Sequence, residues 1–262
     1  MILGMWTDIA DLRDFYGTAL GTRARELLAR KIATFWPNLH GMTVLGVGFA
    51  TPFLDHLQDG AARTIALMPA GQGVMPWPRH GGSLVGLCAP EALPLPDRSI
   101  DRLLLIHGLE SAEHPRAVLR EIWRVLADGG RVLIIAPNRH GLWCHFEHTP
   151  FGQGQPYTQR QIHRLLCDTM FTPLRTAGAL YLPPVKRRWA ERFAPSSERI
   201  GERIGSSLAG VLLVEASKQI YAGHPLAEPM PRLRLIPSLG PIRPHPHTEA
   251  HPPHQTSEAS DI

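Results

Sequence analysis

Between residues 91 and 138, short apolar runs alternate with a stretch of helical periodicity. The run 102–107 is short enough for a buried strand, and 132–136 is wholly apolar and rich in β-branched residues. Between these runs, apolar residues recur at the spacing of one helix face: Val118, Leu119, Ile122, Val125 and Leu126. The turn Asp128-Gly129-Gly130 is expected to end that helix. Apolar strands that alternate with a helix predict parallel strands covered on both faces.

The same reasoning extends over most of the chain and predicts an α/β fold. The predicted strands are 43–48, 64–68, 83–87, 102–107, 131–136, 174–181 and 209–216. Helices are predicted within 7–36, with breaks at Gly17 and Gly21, and at 52–57, 158–166 and 186–204. Residues 69–82 are rich in proline and glycine where an alternating fold usually places a helix, so a loop is expected there.

Composition divides the chain into three predicted parts. We expect an N-terminal helical segment at 1–40, a folded domain at 41–223 and a disordered tail at 224–262. The tail is predicted to be disordered because it is rich in proline and histidine, has no aromatic residue and has little apolar content after Ile242. With 262 residues, 44% of them hydrophobic, the chain suits one domain with additions at its ends.

Charge, cysteine content and motifs exclude several classes of function. The net charge is only +4 and the basic residues are scattered, so nucleic-acid binding is not expected. The three cysteines form no Cys-x-x-Cys pair, which is typical of a reduced intracellular protein. No apolar run reaches membrane-spanning length and no signal peptide is evident, so the predicted location is cytoplasmic. No nucleophile elbow, P-loop or zincin motif is present.

Two strings in the second half of the predicted sheet carry a family resemblance. These are LPLPDRSIDRLLLIHGLE, from residue 93, and LREIWRVLADGGRVLIIAPN, from residue 119. Together they resemble class I S-adenosylmethionine-dependent methyltransferases of the type 11-like subgroup, over roughly residues 40 to 220. The resemblance implies a seven-stranded, mostly parallel, Rossmann-like sheet with helices on both faces and an antiparallel last strand. It also implies S-adenosylmethionine as the cofactor.

The family's cofactor motif is incomplete in the first half of the sheet. Gly46 stands where the family has an acid at the end of the first strand, and Gly48 matches the first motif glycine. Met68 replaces the acid that binds the ribose, and Ala89 replaces the acid that contacts the adenine. By the resemblance, the residues that line the cofactor are Gly46, Gly48, Phe49, Met68, Glu91 and His107. The substitution Gly48→Asp is expected to abolish cofactor binding without unfolding the chain.

Histidines after the fourth and fifth strands are the candidate catalytic residues. His107 is a candidate general base or wall of the site, although a hydrogen-bonded structural histidine explains it equally well. His140 and His145 are candidates for accepting a proton from the methyl acceptor. The segment from Asn138 to Pro156 is interpreted as a lid, with a metal site at Cys144, His145 and His148 as the alternative.

Two functions remain open from the sequence. The first is an S-adenosylmethionine-dependent methyltransferase that acts on a small-molecule acceptor. The second is a non-catalytic methyltransferase-like protein that scaffolds or regulates a protein partner, as the missing acids suggest. For this second function, the predicted partner surface is on the N-terminal helices or on the basic helix 186–204. The alternative interpretation of 186–204 is a helix that is exposed to solvent and binds no partner.

Overall fold

A computed structural model of the chain describes residues 6–78, 80–184 and 208–219. Seven strands form one sheet: β1 Thr43–Gly48, β2 Arg63–Pro69, β3 Val85–Cys88, β4 Ile100–Ile106, β5 Leu126–Pro137, β6 Phe171–Ala179 and β7 Val211–Lys218. The helices are α1 Ile9–Gly17, α2 Ala19–Phe35, α3 Thr51–Leu54, α4 Pro115–Val125 and α5 Gln159–Asp168. Two single-turn 3₁₀ helices, Trp143–His145 and Pro150–Gly152, lie in the loop after β5. The seven predicted strands are therefore confirmed.

The strand order in the sheet is β3-β2-β1-β4-β5-β7-β6. The strands β1 to β5 are parallel, and β7 is antiparallel to both of its neighbours, β5 and β6. The antiparallel last strand and the mostly parallel sheet are thus confirmed. The strand order reverses between β1 and β4, and such a reversal leaves a crevice at the carboxyl ends of the two strands.

Alternate residues of each central strand enter two separate hydrophobic cores, one on each face of the sheet. Val44 and Leu104 pack with α1, α2 and α3, whereas Leu45 and Leu103 pack with α4 and α5. This alternation follows from the two-residue period of a strand. Across the first core, the indole nitrogen of Trp36, just after α2, donates to the buried carboxylate of Glu215 on β7 at 3.0 Å. The predicted helices on both faces are confirmed.

Helix boundaries differ from the prediction at two places. The N-terminal helices break at Thr18, which caps α2, and Gly21 lies inside α2. Gly21 is required there because a side chain would overlap the carbonyl oxygen of Phe15. The second difference is at α4, which ends at Val125, before the predicted glycine turn. Leu126 is already extended and pairs with Ile100 across an irregular start of β5.

Local signals explain the other connections. Thr158 and Gln161 form a capping box at the start of α5, as expected from a threonine before an apolar periodic stretch. In the described part of 69–82, the chain contains no helix and reaches β3 as a loop. The predicted helix 186–204 and the predicted tail 224–262 lie outside the described residues, so both stay predictions, as do the three-part domain boundaries. None of the described helices is long and apolar enough to cross a membrane.

Candidate cofactor site

The carboxyl ends of β1 and β4 meet at the centre of the sheet. Gly48 ends β1 with a φ of +84°, and the next residue, Phe49, donates its backbone N–H to the carbonyl of Ile106 at 3.0 Å. A side chain at Gly48 would overlap the same Ile106 carbonyl oxygen. Glycine is therefore required at position 48 for the two strands to pack. This corrects the expectation that Gly48→Asp would leave the fold intact.

The missing acid at position 46 has a steric cause. A Cβ atom at Gly46 would lie 2.6 Å from the Cβ of Ala50 and 2.8 Å from a methyl group of Leu54. Ala50 and Leu54 belong to the turn and short helix that follow β1, and both are fully buried. The close packing of α3 on β1 leaves no room for a carboxylate at this position.

The other predicted cofactor positions differ in burial. Met68 is fully buried in the core on the α1–α2 side, together with Phe49. Glu91 is half-buried in the turn after β3. Burial and then the charge of Glu91 raise the pKa of the Cys88 thiol to about 11, so this cysteine stays protonated and unreactive at neutral pH. The charge of Glu91 thus lies on the β3 side of the crevice.

Aromatic side chains fill the crevice above Gly48. The ring of Tyr16, from α1, stacks on Phe49 with centroids 5.8 Å apart and meets Phe53 edge-on at 5.7 Å. Phe151, from the loop after β5, lies 4.9 Å from the His107 ring. All five side chains are buried. The position that the family resemblance assigns to the cofactor is thus covered by the chain's own helix α1.

His107 is the centre of a buried polar cluster under this aromatic layer. Its Nε2 lies 2.7 Å from the hydroxyl of Tyr16, and its Nδ1 lies 3.3 Å from a carboxylate oxygen of Glu110. Its backbone carbonyl accepts a hydrogen bond from the side-chain nitrogen of Gln72 at 3.1 Å. Because β1 lies between β2 and β4, the Gln72 side chain crosses the end of β1 to reach His107. His107 has a φ of +53°, an uncommon conformation for a residue with a side chain.

Three acceptor atoms of this cluster lack a hydrogen-bond partner among the described residues: Gln72 Oε1, Glu110 Oε1 and Glu110 Oε2. The contact between Glu110 and the His107 Nδ1 is within ion-pair distance but does not have hydrogen-bond geometry. Buried acceptors are nearly always paired, and an exception indicates a bound water, ion or ligand, or stored strain. The cluster therefore has unused capacity to accept hydrogen bonds.

The two other predicted catalytic histidines lie on the protein surface. His140 and His145 are exposed in the loop after β5, whereas His107 is buried. The same loop lines a cavity of about 1110 Å³ between itself, α1 and α2, with Phe15 and Trp143 in its wall. Within the described ranges, no group of three or more histidine, cysteine or acidic side chains is placed to hold a metal ion. The catalytic roles of His107, His140 and His145 stay predictions.

Sequence reasoning missed Tyr16 and Glu110. Tyr16 was part of the apolar face of a predicted helix, and its hydrogen-bond partner is 91 positions away in the sequence. Glu110 is the last residue of the motif string that contains β4, and it packs under the loop that contains Gly154 and Gln155. The one available signal was the position of Glu110 three residues after His107, behind a buried strand.

The hydrogen-bonding groups of the buried cluster suit S-adenosylmethionine, but the crevice is occupied by aromatic side chains. The cofactor carries an ammonium group, two ribose hydroxyls and an adenine amine, all of which donate hydrogen bonds. Gln72 and Glu110 supply acceptors that lack partners among the described residues. The buried rings of Tyr16, Phe49 and Phe151, however, occupy this crevice while α1 is in place. The residues therefore fit the cofactor only if α1 withdraws.

Comparison with known proteins agrees with this architecture. Residues 40–134 match the family model described as a methyltransferase domain. A S-adenosylmethionine-dependent methyltransferase of Thermotoga maritima, described as a possible histamine N-methyltransferase, has a similar structure. Its TM-score is 0.60 at 16% identity, over 80% of this chain and 96% of that one.

The family model over residues 40–134 and the shared fold support a class I S-adenosylmethionine-dependent methyltransferase family for this chain. An uncharacterized protein of Mycobacterium tuberculosis is 26% identical over 211 residues, which are 77% of this chain and 71% of the relative. A putative methyltransferase of Haloferax volcanii, solved in complex with the Trm112 methyltransferase activator, has a TM-score of 0.58 at 18% identity. That likeness covers 81% of this chain and 100% of the archaeal one, and it concerns the fold.

Proposed function

We propose that this family member is an S-adenosylmethionine-dependent methyltransferase that acts on a small-molecule acceptor. The observation that carries the proposal is the set of buried acceptors without partners around His107, at the carboxyl ends of β1 and β4. The family match and the strand order support the proposal, because related folds bind ligands at the crevice where the strand order reverses. The acceptor molecule is proposed to be small because the crevice is enclosed by aromatic side chains.

In this proposal, Gln72 takes over part of the task of the missing acids. Its Oε1 is buried without a partner among the described residues, and it would accept a hydrogen bond from a ribose hydroxyl or from the ammonium group of the ligand. Its Nε2 already donates to the His107 carbonyl, which fixes the side chain across the end of β1. A neutral amide binds a cation more weakly than a carboxylate does, so we expect weaker cofactor binding than in relatives with the acids.

His107 is the proposed proton acceptor. With the Tyr16 phenol as donor, the His107 Nε2 is the acceptor, so this nitrogen would face the crevice as a base once Tyr16 has withdrawn. When bound, the cofactor would supply an electrophilic methyl group on a sulfonium centre. The protein's contribution is then alignment, exclusion of water and removal of one proton from the acceptor.

Calorimetry with Gln72→Leu tests this proposal. We expect wild-type protein to bind S-adenosylmethionine and S-adenosylhomocysteine, and Gln72→Leu to bind about tenfold more weakly, as expected for the loss of one hydrogen bond to a charged or hydroxyl group. Gln58→Leu is the matched control, because Gln58 lies after α3 and outside the buried cluster. Equal affinity of wild type and Gln72→Leu would remove Gln72 from the site.

A second candidate is a non-catalytic methyltransferase-fold protein that acts on a protein partner. The packed aromatic layer above Gly48 favours it, because this layer is what a fold without a ligand would require. The archaeal neighbour solved with an activator protein is an example of this fold in a protein complex. Absence of binding up to millimolar ligand, both in wild type and in Tyr16→Ala, would favour this candidate over the first.

A further inference from the structure

Helix α1 is tied down on both sides of the crevice that it covers. At its start, the backbone N–H of Ile9 donates to the carbonyl of Gln72 at 2.9 Å, in the loop after β2. On the other side, the hydroxyl of Thr7 donates to the side chain of Gln153 at 2.8 Å, in the loop after β5. Between these contacts, the helix buries Leu12, Phe15 and Tyr16. It therefore bridges two loops that follow different strands.

Tyr16 makes the one described hydrogen bond from the buried face of α1 to the centre of the sheet. Burial and then the charge of Glu110 raise the pKa of Tyr16 well above its ordinary value, so the phenol stays protonated and donates to His107 Nε2. With the phenol as donor, the His107 Nε2 is the acceptor, and the Nδ1, which faces Glu110, carries a proton. The Glu110 carboxylate, 3.3 Å from this nitrogen, favours by its charge the ring orientation that accepts from Tyr16.

The arrangement under α1 has internal costs. Three buried acceptors have no hydrogen-bond partner in the described residues, and His107 holds a left-handed backbone conformation. Each such feature is unfavourable, and such features concentrate at binding sites and switches. A ligand that donates hydrogen bonds to Gln72 and Glu110 would compensate for the loss of the Tyr16 contact.

We propose that α1 is a latch: the Tyr16 phenol occupies the cofactor crevice, is held by His107, and must withdraw before a ligand enters. Glu110 is a positioning residue in this latch, since it acts through the His107 ring. The inference rests on the proposed function, because the ligand that displaces α1 is S-adenosylmethionine. It adds that the affinity for this ligand is reduced by competition with the chain's own side chain.

Two measurements test the latch and the proposed cofactor binding independently. Hydrogen exchange of residues 9–17, followed by mass spectrometry, reports opening of α1 without any ligand, and calorimetry with S-adenosylhomocysteine reports binding. We expect Tyr16→Phe, which keeps the ring, to speed exchange of α1 about fivefold, and Glu110→Gln to do the same. Tyr16→Ala is expected to bind the ligand at least about tenfold more tightly than wild type.

Tyr157→Phe is the matched control, because it also removes a buried tyrosine hydroxyl, one that donates to the carbonyl of Leu109 outside α1. Its exchange in α1 should equal that of wild type. Unchanged α1 exchange in Tyr16→Phe would overturn the latch, and unchanged exchange in Glu110→Gln alone would overturn the positioning role. Faster exchange without ligand binding in any variant would keep the latch and refute the cofactor function. Should Tyr16→Ala fail to fold, Tyr16→Phe serves both readouts.

Discussion

The two halves of the sheet differ in what their sequence motifs do. In the half formed by β4, α4 and β5, the motif residues have structural tasks. In the half formed by β1, β2 and β3, the family's usual acids are replaced by Gly46, Met68 and Ala89. Those positions now serve packing, as at Gly46 against Ala50, or burial, as at Met68. Motifs that stabilise the fold are therefore present, and the ones that only bind ligand are altered.

Arg124 shows why the second-half motif is so complete. Its guanidinium donates to the carbonyls of Leu93 and Leu95, both at 2.9 Å, and pairs with Glu121 and Asp97. Glu121 in turn accepts from the backbone N–H of Leu93 at 2.9 Å. The arginine and the glutamate of α4 thus hold the turn that precedes β4. This network needs no ligand.

The largest expected difference between the halves is in the free energy of unfolding. Leu104→Ala, at a fully buried position on β4, should lower it by about 3–5 kcal/mol, because apolar surface is no longer buried and a cavity remains. Leu87→Ala, on the edge strand β3, should change it by less than about 0.5 kcal/mol, because Leu87 is 50% exposed. Urea unfolding of both variants measures the difference. A cost above about 1 kcal/mol at Leu87 would mean that this edge is covered in solution.

Two glycines with positive φ provide the next test. Gly48→Ala should cost about 2–4 kcal/mol, since backbone strain adds to an overlap with the Ile106 carbonyl. Gly129→Ala, in the other half, has a φ of +75° and open space around it, so it should cost only about 1–2 kcal/mol. Equal costs in thermal or urea unfolding would show that the close approach at Gly48 adds nothing.

A smaller effect is expected at Arg124. Arg124→Met keeps much of the side-chain volume and removes the hydrogen bonds to Leu93 and Leu95, which should cost about 1–2 kcal/mol at neutral pH. Arg120→Met, on the solvent-facing side of the same helix, is the control and should cost less than about 0.5 kcal/mol. Equal losses of stability in the two variants would mean that the effect comes from replacing an arginine in the helix, and not from the lost contacts with the turn.

The smallest effect is a pH dependence of the same pair. The hydrogen bond from Arg124 lowers the pKa of Glu121 below its ordinary 4.5, despite partial burial. A lowered folded pKa contributes stability above pH 4.5 that is lost as pH falls through the folded value. Wild type should therefore lose more stability than Arg124→Met between about pH 5 and pH 3. Parallel stability curves for the two proteins would contradict this assignment.

Most of the fold followed from periodicity and the family resemblance. Apolar runs located all seven strands, and Thr158 indicated the start of α5. Strand ends moved by a few residues because hydrogen-bonded pairing continues past an apolar run, as at Leu126. The antiparallel direction of β7 came from the resemblance, since its apolar sequence alone reads like that of a buried parallel strand.

The candidate site was only partly predictable. Gly48, Phe49, Met68 and His107 come together, as expected for residues at neighbouring strand ends. The covering by Tyr16 was not predictable, because a tyrosine on an amphipathic helix face has no sequence signal for its partner. The missing acid at position 46 was visible in the sequence, yet its steric cause required the packing of Ala50 and Leu54.

The place of β7 between β5 and β6 sets the order in which a growing chain can complete its sheet. Among the described strands, β6 pairs only with β7, so residues 171–179 cannot join the sheet until residues 211–218 have left the ribosome. Until then, the long strand β5 has an open edge, which can pair with another chain. The hydrogen bond from Trp36 to Glu215 also cannot form before β7 is synthesised. Translation that stops before residue 211 would therefore leave an aggregation-prone intermediate in place of a smaller domain.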